Sequence, residues 1–212
     1  MVTGMPVRKK KEIVLVGARG QAKDLIGYLE DDGGYRILCL LDELSADKVL
    51  GYDVVAPADY DLGCRDALLA IGMPKAKVKV LAQYAPLEFR WQTYIDRRAF
   101  VSPHAVMGEA CIVAPFAVLA GDVRLGDHVY FAAFAGAGHD SAVGAMSSLM
   151  PYSGLGGGAK IGARTMVGAA AHLLPGVAVG DDVSIAGTAL VMKDLPSGVL
   201  ALGNPARIVQ EL

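Results

Sequence analysis

Val113-Ala-Pro-Phe-Ala-Val-Leu119-Ala-Gly-Asp-Val-Arg-Leu125-Gly-Asp-His-Val-Tyr-Phe131 returns to an apolar residue at every sixth place. Followed outward, the same register runs from Val101 to Leu195 without a slip, its apolar column ending at Val191. Fourteen of the sixteen residues in this column are Leu, Ile, Val or Met, the others being Phe131 and Ala137. The column after it holds eight Gly and four Ala. The column four places after it is small or β-branched from Ala105 onward, except at its last member, Leu195. A helix repeats at 3.6 and a strand at 2, so neither produces a period of six. A solenoid with flat faces and a corner after each face does.

One aliphatic residue per face fills the axis of a narrow prism, and a small residue at each corner lets the backbone turn. Glycine in the second column is expected to supply the positive φ of those corners. This is the pattern of a left-handed parallel β-helix, which departs from the usual right-handed parallel crossover. Three faces per coil give about five coils, stacked at about the 4.8 Å spacing of strands in a sheet.

The 212 residues are 53% hydrophobic and 20% charged, which excludes a disordered chain. A net charge of −2 gives no reason to expect a nucleic-acid partner. The basic run Arg8 to Lys11 reads as a solvated arm. No segment approaches the ~20 apolar residues that span a bilayer. Cys39, Cys64 and Cys111 are scattered, with no CxxC pair. Cys111 falls in a small-residue column, where a buried structural thiol is expected. The chain reads as a soluble cytoplasmic protein.

Ahead of the coil, Glu12 to Val16 is a short buried strand leading into the turn Gly17-Ala-Arg-Gly20 and a helix from Gln21 to about Glu30. Strands are expected at Tyr35–Leu41, ending on Asp42, and at Ala67–Ile71, with a helix from about Pro74 to Tyr84. Proline suits a first helical turn. The fold class is thus an α/β, Rossmann-like N-terminal domain (12–97) followed by a left-handed β-helix domain (98–212). A glycine turn entering a helix favours phosphate, and an acid at the end of the second strand can take a ribose hydroxyl. The same residues also fit a tight turn beside a surface acid. Three strands are few for a dinucleotide, which favours a single nucleotide.

The Gly17 turn, Leu41-Asp42-Glu43, His139-Asp140 and the closing Gly203-Asn204-Pro205-Ala206-Arg207 together resemble the bacterial nucleotide-sugar acyltransferases of the hexapeptide-repeat superfamily. That group includes sialic acid O-acetyltransferases and N-acetyltransferases of nucleotide-linked 4-amino sugars. The resemblance implies a nucleotide sugar held by Gly17, Ala18, Arg19, Asp42 and Glu43. It implies a homotrimer with acetyl-CoA between neighbouring coils, at positions matching Ser148, Gly157, Ala169 and Gly187, and no metal. The chain departs from the family pattern at Gln21, Ala132 and Ser148, in place of His, Asn and His, and at Gly138, in place of Glu.

Acyl transfer needs a base near the attacking amine or hydroxyl, and histidine changes charge near neutral pH. Only His139 of the four histidines is followed by a carboxylate, Asp140, and it lies outside both inward columns. His139 is therefore the expected base, with Asp140 stabilising the imidazolium. His104, His128 and His172 read as ordinary outward-facing residues. Attack is expected to be direct, because no Cys lies beside His139 and Ser141 belongs to an inward column. Two rivals stand beside this reading. One is a non-catalytic homologue that binds a nucleotide sugar, motivated by Ala132, Gly138 and Ser148. The other is a γ-type carbonic anhydrase, disfavoured because no two histidines are five apart.

Overall fold

The computed structural model describes residues 10–43 and 47–212. Arg8 and Lys9, the first half of the basic run, lie outside them.

Six strands, rather than the three expected, form the N-terminal sheet. They are β1 (Lys11–Val16), β2 (Tyr35–Leu41), β3 (Lys48–Val49), β4 (Tyr52–Val55), β5 (Asp66–Leu69) and β6 (Arg90–Trp91), in the order β3-β4-β2-β1-β5-β6. All pairings are parallel except β3 with β4. The three unforeseen strands are two to four residues long, too short to show a period. Helix α1 (Gly20–Asp32) follows β1 and buries Ala22, Leu25, Ile26 and Leu29, one stripe at helical spacing. Gly33 ends it in the left-handed region and donates its N–H to the Leu29 carbonyl. Helix α2 (Pro74–Tyr84) follows β5.

From Tyr94 onward the chain coils. Ile112–Val113 pairs in parallel with Tyr94–Ile95 on one side and Tyr130–Phe131 on the other, so each rung lies eighteen residues from the next. Three sheets result, carrying on their outer surfaces Tyr94, Ile112, Tyr130 and Ser148; Phe100, Val118, Gly136 and Gly154; and Val106, Arg124, Ala142 and Lys160. These repeated parallel sheets fit a left-handed β-helix. The aliphatic column from Val113 to Val191 is buried on the axis. Its two exceptions, Phe131 and Ala137, fall in one coil, where the smaller side chain compensates the larger. Cys111 is buried, as expected.

The second-column glycines do not supply the positive φ expected of them. None of Gly126, Gly144 and Gly162 has a left-handed φ. A Cβ on each would instead stand 2.3–2.6 Å from a backbone nitrogen of the next coil. Small residues are needed there because the chain of the following rung passes over them. Positive φ falls two places later, at every sixth residue from Ala110 to Thr188, and only Gly158 and Gly176 among these are glycine. A left-handed L-residue costs about 1–2 kcal/mol. An inter-coil hydrogen bond offsets it, as in His128 N–H to the Glu109 carbonyl (2.8 Å) and Asp140 N–H to the Gly121 carbonyl (3.0 Å).

The first coil face docks on the α/β layer. Tyr94, Ile112, Tyr130 and Ala132 share a core with Leu25, Ile26 and Leu29 of α1. The Tyr94 hydroxyl donates to buried Asp96, which also holds Arg98 through two side-chain hydrogen bonds.

Candidate functional site

Gly17 turns the chain from β1 into α1 with φ +110°, and a Cβ there would meet the Ala70 carbonyl oxygen at 2.8 Å. Both conformation and space therefore demand glycine. The Asp42 carboxylate accepts the Ala18 N–H at 2.9 Å, fixing the turn against the end of β2. No side chain caps the N-terminus of α1, and its first turn contains no acid. These features open on a cavity of about 590 Å³, lined by Gly17, Arg19, Asp42 and Glu43. Its other walls carry no local signal in the sequence. Tyr84 and Lys79 come from α2, and Tyr130, Met150 and Pro151 come from the coil. Glu43 accepts a hydrogen bond from Gln83, which ties the segment after β2 to α2. Burial and the nearby Asp42 and Glu43 charges raise the Tyr84 hydroxyl above its ordinary range. Gln21 lines the same cavity, and both its side-chain polar atoms are buried without a protein partner among the described residues.

His139 and Asp140 form the corner after strand Gly136–Ala137. His139 Nδ1 and Asp140 Oδ2 are 2.7 Å apart, with side chains 75% and 66% exposed. A carboxylate on Nδ1 makes that nitrogen the protonated one in the neutral ring and leaves Nε2 as an acceptor. Gly157 lies one rung on from His139, while Ala169 and Gly187 stand on the edge that also carries Pro151. His139 and the cavity thus occupy opposite edges of the face bearing Gly136 and Gly154, and one chain does not bring them together. Ser148 is fully buried between Tyr130 and Met166, on the face covered by the α/β layer. Ser141 is buried and donates to the Gly138 carbonyl.

His128 is not an ordinary outward residue. Docking of the α/β layer half-buries it edge-on against Trp91, with ring centroids 5.9 Å apart. Burial and the neighbouring Lys77 charge lower its basicity. Lys77 itself, on α2, is 1% exposed. Its ammonium donates to the carbonyls of His128 (2.8 Å) and Ser147 (3.1 Å).

Among the described residues no three His, Cys, Asp or Glu side chains cluster as metal ligands, and no helix is long and apolar enough to cross a membrane.

No family model matches the sequence. PerB from Caulobacter crescentus, solved in complex with CoA and GDP-perosamine, superposes with a TM-score of 0.86 at 31% identity, covering 94% of this chain and 97% of that one. The acetyltransferase domain of PglB from Neisseria gonorrhoeae, solved with acetyl coenzyme A, superposes with a TM-score of 0.86 at 26% identity, covering 94% and 100%. A serine acetyltransferase of Helicobacter pylori is 46% identical over 46 residues, so the match spans 27% of that protein.

Proposed function

The chain belongs to the hexapeptide-repeat nucleotide-sugar acyltransferases, and from that premise we propose that it moves an acetyl group from acetyl-CoA to an amino or hydroxyl group of a nucleotide-linked or sialic-acid-type sugar. The His139–Asp140 contact at 2.7 Å carries this reading, because with Nδ1 held by the carboxylate the other nitrogen, Nε2, of a mostly exposed ring is the one left to accept a proton. The acceptor nitrogen or oxygen attacks the thioester carbonyl, and its proton passes to Nε2. The tetrahedral intermediate then collapses with loss of the C–S bond, and the sulfur leaves as CoA thiol with the proton returned by the imidazolium. Asp140 opposes the charge that the ring carries between those two transfers.

The α/β domain (12–97) is proposed as Rossmann-like and as the holder of the nucleotide, through the cavity beside Gly17 and the uncapped start of α1. The coil (98–212) is proposed to form a homotrimer in the cytoplasm. In it one chain's His139 faces a neighbour's cavity, with acetyl-CoA between coils near Gly157, Ala169 and Gly187. An exposed apolar edge supports association: the Phe116, Phe134 and Tyr152 rings stack at 4.9 and 4.8 Å.

The test is a thermal-shift screen of UDP-, GDP-, dTDP- and CMP-sugars with and without acetyl-CoA, followed by CoA-thiol release with each stabilising sugar. A ligand at 100 times its Kd should stabilise by about 2.7 kcal/mol. One observation favours a non-catalytic homologue: Ala132 and Ser148 are buried, so neither presents a side chain to a ligand. Tight sugar binding with no thiol release would select that reading.

A further inference from the structure

We infer that Gly157 is a positioning residue whose missing side chain forms the seat of the His139 ring, an inference that rests on His139 being the base. A Cβ built on Gly157 would lie 2.5 Å from His139 Nε2, 2.6 Å from Cε1 and 3.1 Å from Cδ2. The imidazole therefore occupies the volume that any side chain at 157 would take.

The coil does not itself require glycine there. Position 157 has no left-handed φ. The equivalent third place of other corners carries Glu109, Pro115, Asp127, Ala145 or Asp181. On the same edge, one rung to the other side of His139, a Cβ on Gly121 would meet nothing within 4 Å. His139 is mostly exposed, so the floor at Gly157 and the carboxylate of Asp140 are what define its orientation. Nδ1 is held by Asp140, and the Nε2 side of the ring lies over the bare backbone. An added methyl group would lift the ring, break the Asp140 contact and turn Nε2 from the position where it meets the acceptor. This role differs from an amide contact to acetyl-CoA, because alanine keeps the N–H and fills the seat.

The test compares Gly157→Ala, Gly157→Ser and the control Gly121→Ala, each in the native and His139→Ala backgrounds. Both substitutions at 157 should lower kcat by about 10- to 100-fold, the cost of an ångström-scale misplacement. Melting temperature should be unchanged, and Gly121→Ala should retain native kcat. In the His139→Ala background the substitutions at 157 should add nothing. Native kcat in Gly157→Ala, or the same fold-loss with and without His139, would overturn the inference. A second readout is independent of turnover. The ¹⁵N shifts of the His139 ring should move in Gly157→Ala as they do in Asp140→Asn, and unmoved shifts would refute the seat. Full activity in His139→Ala would instead remove the base assignment, while the ring shifts still decide the seat.

Discussion

Lys77 Nζ lies 2.8 Å from the carbonyl oxygen of His128, a hydrogen bond that crosses from α2 of the α/β layer to a corner of the coil. With the second bond, to the Ser147 carbonyl, it ties a wall of the cavity to the β-helix. Among the described residues no carboxylate shares the site, and burial pulls the ammonium down from 10.5 to about 7. A neutral amine still has two N–H groups, enough for both carbonyls. Between about pH 7 and 10.5 the unfolded chain binds more protons at this site than the folded one. Stability from Lys77 therefore rises with pH across that window, by at most about 1.4 kcal/mol per unit. Denaturation curves at pH 7, 8 and 9 should show native stability gaining on Lys77→Met as pH increases. Parallel pH dependences would show that the lysine is charged throughout.

His139→Ala should lower kcat by about 10²–10⁴, the usual contribution of a positioned general base. The melting temperature should barely move, because a side chain 75% exposed leaves no cavity behind. Asp140→Asn should cost less, since the imidazole stays in place. Loss of folding in His139→Ala would mean that the ring is structural.

Asp42→Ala should weaken nucleotide-sugar binding and leave acetyl-CoA affinity intact, because Asp42 orders the Gly17 turn by accepting the Ala18 N–H. The loss of a hydrogen bond to a charged group is worth about 1.5–3 kcal/mol. Isothermal titration with each ligand separately checks it, and equal losses for both ligands would point to general unfolding.

Phe131→Ala should destabilise the fold by about 3–5 kcal/mol. Its ring is wholly buried in the coil whose next face carries only Ala137. A loss below 1 kcal/mol in urea denaturation would mean that the coil collapses around the vacancy.

Phe134→Glu should convert the proposed trimer to monomers in sedimentation, because Phe134 is the middle ring of the exposed stack. A native trimer with an unchanged sedimentation coefficient in the variant would place the interface on another face, and a native monomer would remove the proposed trimer.

The coil was legible from Val101 onward because each residue's fate depends on its place in a repeat that recurs every six positions. His139 stood out for the same reason, being a titratable residue outside the inward columns with an acid beside it. The lysines of α2 show the opposite case. Lys75, Lys77 and Lys79 alternate along one helix, and nothing local marks Lys77 as the buried one. Only docking against the coil decides it, and the same docking buries His128 and Ser148. The cavity was half legible: its glycine turn and Asp42 lie close to β1 and β2, whereas Tyr130 and Pro151 arrive from coil rungs with no local signal.

The eighteen-residue rung spacing gives the chain a discrete rotational coordinate. Removing or adding one full turn beyond Asp140 would shorten or lengthen the prism and leave every later residue on its own face. Removing six residues would keep each apolar residue pointing inward yet advance everything downstream by one third of a revolution. Such a protein could retain its packed axis while Gly157 left the edge that carries His139. Foldability and chemical competence are therefore governed by two different divisors of the same length, and a change in length can satisfy the first while violating the second.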